Sequence, residues 1–161
     1  MSGAVAFRPM LAADAVQLAL QPSQHVCLGV TRPVLSIEDG RELAEGGPAW
    51  TAIAGGRVVA CAGFRLLWPP SGRTAGHAVA WALLAAGIGA AHLAVTRFAR
   101  ARIAESPLAR IEAIARAEVE AECRWPRLVG LAFVCDLPCW GPDGATHKLF
   151  ARVRPPEAGG R

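Results

Sequence analysis

The apolar positions change period several times along the chain, and each change marks an element. Val5 to Arg8 is a short apolar run closed by Pro9, which reads as a strand. Ala12 to Leu20 takes helical spacing, with Asp14 in its first turn. Pro22 and Pro33 leave residues 21–35 irregular. Ser36 then opens a second helix, with Asp39 three residues on near the capping-box position, and Gly46-Gly47 ends it. Trp50 to Ala54, the Gly55-Gly56 turn and Arg57 to Leu67 form a hairpin. After the loop Pro69-Pro70-Ser71-Gly72, a third strand of the meander runs from about His77 to Ala85, apolar enough to be buried on both faces. Ala86-Gly87-Ile88-Gly89 is a turn, and a helix follows from about Ala90 to Glu105, stopped by Ser106-Pro107. Leu108 to Ala115 reads as a strand, and Glu118 to about Leu128 as a short helix disturbed at Pro126. Strands at Ala132 to Leu137 and His147 to Arg154 flank the turn Gly141-Pro142-Asp143-Gly144.

The order is therefore β-α-α-β-β-β-α-β-α-β-β, an α/β domain. No internal repeat and no linker divides it, so residues 1–154 read as a single domain and 155–161 as a loose tail.

Composition changes this picture little. The chain has 161 residues, 53% apolar and 19% charged, enough for one domain with a real core and far from a disordered composition. The net charge is +4, and Lys148 is the only lysine. Such an arginine bias suits planar contacts to phosphate or carboxylate, and equally follows from GC-rich codons. The charge is too mild and dispersed to predict a nucleic-acid partner. Five cysteines, Cys27, Cys61, Cys123, Cys135 and Cys139, are an odd count in a chain too large to need staples. Free, mostly buried thiols and a cytoplasmic setting are expected. The N-terminus lacks the pattern of a signal peptide. Residues 78–95 form an apolar run of membrane-spanning length, yet it is rich in alanine and broken by Gly87 and Gly89, so no membrane span is favoured.

Several motifs fail. Cys135-x-x-x-Cys139 with His147 lacks the usual zinc spacing and a fourth ligand, so no metal is expected. Neither a Gly-x-Ser-x-Gly elbow nor a Walker loop is present. Of the five tryptophans, Trp68 and Trp140 sit near loops, where they could line a cleft or an interface, and the others read as core. Glu112 is a carboxylate set in the apolar strand LARIEAIA. Desolvation there favours its neutral form and makes it a candidate proton acceptor, unless it faces solvent or pairs with Arg110. His77, at the start of the strand before the turn, is a second candidate, with a plain polar strand end as the alternative.

Three units carry a family resemblance: the strand–turn–helix from Ala80 to Gly89, the strand–helix from Ala109-Arg110-Ile111-Glu112-Ala113, and the run Trp125 to Phe133 with the closing hairpin at Pro142-Asp143-Gly144. With the element order, they resemble the GNAT superfamily of N-acetyltransferases over nearly the whole chain. More narrowly, Phe7-Arg8-Pro9, Ala60-Cys61-Ala62-Gly63 and Arg124-Trp125 through Phe133 resemble the small GNAT-like proteins of tailed bacteriophages. The resemblance implies a mixed central sheet of about seven strands with helices on both faces. It also implies acetyl-CoA as cofactor, an amine as acceptor, and transfer of an acetyl group between them.

In the family, a Gln/Arg-x-x-Gly-x-Gly/Ala turn holds the pyrophosphate of coenzyme A on backbone amides at a helix start. Here the stretch is Leu84-Ala85-Ala86-Gly87-Ile88-Gly89, continuing to Ala90. The glycine half matches, and Leu84 stands where the family has Gln or Arg. The implied position of the cofactor is the splay between the strand before the turn and the Leu108–Ala115 strand, its pyrophosphate on the amides of Ala86 to Ala91. Arg97 and Arg100, on the following helix, could meet a phosphate or solvate the helix face. Of the proton carriers the family uses, Glu112 or His77 could serve as base. The usual acid, a tyrosine, is absent because the chain contains none; Cys123 on the last helix is a poor substitute. The alternative implied by these departures is a fold kept without its chemistry, working with other virion proteins in phage head assembly or structure, in the host cytoplasm or the virion.

Overall fold

The computed structural model describes residues 4–25, 34–72 and 74–154. The expectations for Cys27, Pro33, the N-terminal tip and the tail 155–161 lie outside the described residues. Seven strands and four α-helices follow in the order β1 (Ala6–Pro9), α1 (Ala12–Val16), α2 (Ile37–Glu45), β2 (Ala49–Ala54), β3 (Arg57–Trp68), β4 (His77–Leu84), α3 (Ala91–Glu105), β5 (Arg110–Arg116), α4 (Glu120–Leu128), β6 (Ala132–Leu137) and β7 (His147–Val153), with a 3-10 turn at Pro22–Gln24. The sheet order is β1-β2-β3-β4-β5-β7-β6. β1–β2, β2–β3, β5–β7 and β6–β7 are antiparallel, and β4 meets β5 in parallel. The apolar run at 78–95 is split among β4, the glycine turn and the start of α3, and among the described residues no helix is long and apolar enough to cross a membrane.

Local chemistry explains the element borders. Ser36 Oγ accepts the N–H of Asp39 at 3.2 Å while the Asp39 carboxylate accepts the N–H of Ser36 at 2.7 Å, a reciprocal cap that starts α2. Gly55 and Gly56, at φ +56° and +74°, make the left-handed turn that joins β2 to β3 with the twist the strands require. Helix α1 is shorter than its spacing predicts. After Val16 the chain tightens into i→i−3 bonds from Gln17 and Leu18, and Leu20 leaves the helix to form an antiparallel bridge with Ala85.

The chain groups into two compact units, one comprising the residues up to Arg65 with Trp81–Ala99, the other Leu66–Ala80 with the residues from Arg100 onward. In the first, Met10, Ala15, Leu18, Leu20, Leu35, Cys61, Trp81 and Leu83 form the core, on the sheet face that α1 and α2 cover. On the opposite face Phe98 of α3 stacks on Phe7, ring centres 4.1 Å apart, and meets Trp50 edge-on. A buried carboxylate lies within this unit. Asp14 takes both guanidinium nitrogens of Arg8 at 2.7 and 2.6 Å, the hydroxyl of Thr51 at 2.7 Å and the N–H of Leu11 at 2.8 Å. Burial alone would make the carboxyl a weaker acid, but these donors together hold its pKa below the usual carboxylate range.

In the second unit Phe150 is fully buried on β7, with the Phe133 ring and the Arg127 guanidinium against it. Arg152 of β7 and Arg154 just after it donate to the carbonyls of Ala104, Ser106 and Leu108 at and beyond the end of α3. The cysteines depart from expectation. Of the four among the described residues, all are free but only Cys61 is buried; Cys123 is half-buried, and Cys135 and Cys139 are exposed. The reason is position: Cys135 lies on β6, the last strand of the sheet, and Cys139 in the connection that follows it.

Candidate functional site

The turn between β4 and α3 is built by two glycines at positive φ, Gly87 at +73° and Gly89 at +54°, where a side chain would be strained. Its hydrogen bonds separate spent amides from open ones. Ala85 donates to Val59, Ala86 to Ala19, Ile88 to Ala85 and Ala91 to Ile88. The amides of Gly87, Gly89 and Ala90 find no acceptor among the described residues. All three residues are exposed, and they lead directly into the fifteen-residue α3, at its positive dipole end. A Cβ placed on Gly87 would meet nothing within 4 Å, so the turn is open on that side. Three unsatisfied N–H groups on exposed residues at a helix start suit a diphosphate. Arg97, two turns into α3, is exposed and has no ion-pair partner among the described residues; Arg100 is exposed as well. The broader set Leu84 to Ala90 named from the sequence thus narrows, as far as N–H donation goes, to Gly87, Gly89 and Ala90.

Leu84 is buried, and both of its backbone groups are taken. Its N–H donates to Gln24 Oε1 at 2.7 Å and its carbonyl accepts the N–H of Gln21 at 3.1 Å. Gln24 Nε2 in turn donates to the Ala82 carbonyl at 2.9 Å. Residues 19–24 therefore lace the end of β4 to the first core. No sequence signal marked Gln24, because its partners lie 58 and 60 positions away and its neighbourhood reads as irregular.

The two proton-acceptor candidates meet. The parallel register sets His77 beside Arg110 and Val79 beside Glu112. Strand alternation then brings the side chains of His77, Arg110 and Glu112 to one face. Glu112 Oε1 accepts from Arg110 Nε at 2.5 Å, and its Oε2 lies 3.3 Å from the His77 Nε2. That nitrogen is buried and makes no hydrogen bond, so its contact with the carboxylate is electrostatic. Trp68, exposed on its outer side, lies over the imidazole with ring centres 5.2 Å apart. The pairing with Arg110 weighed from the sequence is thus present, but it is shared with histidine. Cys123 donates its thiol to the Arg116 carbonyl at 3.2 Å, and burial raises that thiol further above neutrality, which leaves it a weak acid. Among the described residues no group of three or more His, Cys, Asp or Glu could hold a metal ion.

No protein-family model matches the sequence, and no curated protein matches it. Solved structures do. The ribosomal-protein-alanine N-acetyltransferase of Brucella melitensis superposes with a TM-score of 0.67 at 18% identity, over 92% of this chain and 99% of that one. The yncA protein of Salmonella typhimurium, solved with its cofactor acetyl-CoA, gives 0.72 at 14% identity over 99% of each chain. A GNAT-family acetyltransferase of Streptococcus pneumoniae gives 0.65 at 12%, over 93% of this chain and 99% of that one. At such identities the likeness is one of fold. The chain has the GNAT fold, with its seven-stranded, mostly antiparallel sheet and four α-helices.

Proposed function

We propose that this protein is an acyl-CoA-dependent N-acyltransferase that transfers an acetyl group to an amine. The observation that carries the reading is the turn itself. The amides of Gly87, Gly89 and Ala90 stand open at the start of α3, where the GNAT fold takes a pyrophosphate. Those three groups would hold the pyrophosphate of acetyl-CoA, with Arg97 available to a phosphate from the following turns. Acetyl-CoA would supply an activated thioester carbonyl. The chain's own part is to fix the reactants and manage protons. The candidate to take the proton the acceptor amine would lose is the His77–Glu112 pair, whose carboxylate Arg110 also binds. Without any tyrosine, a leaving thiolate would have to take its proton from solvent, and positioning would supply most of the rate. Calorimetric titration with acetyl-CoA tests the cofactor half directly. Saturable binding is expected, and no heat at millimolar cofactor overturns the assignment.

Two observations favour a second reading: Leu84 stands at the family's Gln/Arg position, and the chain lacks tyrosine. In that reading the chain keeps the fold and serves as a structural or assembly component of a phage particle. Its absence from purified virions by mass spectrometry would exclude a structural role there.

A further inference from the structure

We propose that the Gln24 side chain gates the cofactor site by closing the edge of β4 along which acetyl-CoA must lie, a claim that rests on the function proposed above. β4 begins at His77 and ends at Leu84, just before the glycine turn. In that reading the diphosphate sits at the turn and His77 belongs to the proton-accepting pair, so the arm that joins diphosphate to thioester runs along this strand. The arm carries amides, which a bare strand edge binds as it would another strand. One edge of β4 faces β3, where Ala85 sends its N–H to Val59. By strand alternation, the backbone groups of Ala82 and Leu84 point to the other edge, and there the ladder with β5 stops at Val79–Glu112.

That edge is not bare. Gln24 Nε2 donates to the Ala82 carbonyl at 2.9 Å and its Oε1 accepts the Leu84 N–H at 2.7 Å, as a peptide group of an added strand would. Beside it, the Gln21 N–H takes the Leu84 carbonyl at 3.1 Å. Gln24 is nine-tenths buried, so its carboxamide is packed into this place. It holds the same donor and acceptor that an amide of the arm would use, and the Leu84 N–H has one hydrogen to give. Binding of the whole cofactor must therefore break the Gln24 bonds. Binding at the turn alone need not, because the amides of Gly87, Gly89 and Ala90 find no acceptor among the described residues. The part that has to move is small. Leu18 and Leu20 anchor the preceding chain in the first core, whereas Pro22–Gln24 is a single 3-10 turn, whose hydrogen bonds are poorer than those of an α-helix. The free protein is thus held closed, and its apparent affinity for the cofactor is lowered by the fraction that is open.

Two variants and a shortened probe test this. Gln24→Ala removes the carboxamide, and Gln24→Asn keeps it a methylene short of its partners. By calorimetry, acetyl-CoA should bind Gln24→Ala about tenfold more tightly than wild type, because the bonds that compete with it are gone. Gln24→Asn should fall between. ADP carries a diphosphate without the arm and should bind wild type and both variants alike. The independent measurement uses wild-type protein, so no variant has to fold: the NMR signals of the Gln24 carboxamide should shift on saturation with acetyl-CoA and stay in place with ADP. Acetyl-CoA affinity unchanged or weakened in a folded Gln24→Ala, an equal gain for ADP, or a carboxamide signal that ignores acetyl-CoA overturns the gate and leaves the acyltransferase reading standing. Should acetyl-CoA bind neither wild type nor the variants, that reading falls and the gate falls with it.

Discussion

Two buried side chains show how much a single position can carry. Asp14 is almost wholly enclosed and accepts four hydrogen bonds from three residues. Asp14→Asn leaves the Arg8 guanidinium without its counter-charge and should cost about 1–3 kcal/mol, read as a shift in the urea midpoint. Because the folded carboxyl is held below its unfolded value, its contribution is present at neutral pH and lost as pH falls through the ordinary carboxylate range and beyond. The gap between wild type and Asp14→Asn should therefore close on acidification; a gap independent of pH would show that Asp14 is not ionised in the fold. Cys61 sits beside the same group, and burial pushes its thiol up to about 12. A thiol reagent at pH 8 should modify Cys135 and Cys139 rapidly and spare Cys61 until the protein unfolds, as peptide mapping would show.

At the scale of elements, the borders separate stability from function. Ser36→Ala removes one half of the cap on α2 and should cost about 1 kcal/mol, visible as a lower melting temperature, with acetyl-CoA affinity unchanged. Gly87→Val should behave the other way round. Its Cβ meets nothing in the free protein, so the folded structure loses only the strain of a β-branched residue at φ +73°. A branched side chain beside the open amides should crowd a bound diphosphate, however, and acetyl-CoA binding should be lost in calorimetry while the circular dichroism spectrum stays native. Equal binding by wild type and Gly87→Val would place the cofactor elsewhere.

For the molecule as a whole, charge and fold act together. A net charge of +4 with exposed Arg97 and Arg100 on α3 should draw in a polyanionic cofactor. Acetyl-CoA affinity should then fall several-fold between low salt and about 1 M, where screening acts within ~3 Å. An affinity insensitive to salt would leave the turn amides, rather than the arginines, as the main source of binding.

The kind and order of the elements were legible in the sequence because their causes are local. Ser36 with Asp39, Gly55-Gly56, Pro107, and Gly87 with Gly89 each act within three or four residues, and each stands where the chain starts, bends or stops. What the tertiary structure alone decided is which groups are spent on the fold and which stay open. Ala86 and Ile88 give up their amides, to Ala19 and Ala85, and Gly87, Gly89 and Ala90 do not. His77 and Glu112, read as rival proton acceptors, become partners through a register of two parallel strands. Gln24 matters only through groups 58 and 60 residues away. A hydrogen bond between distant segments depends on how the strands slide and where the core pulls them, and no window of neighbouring residues contains that information.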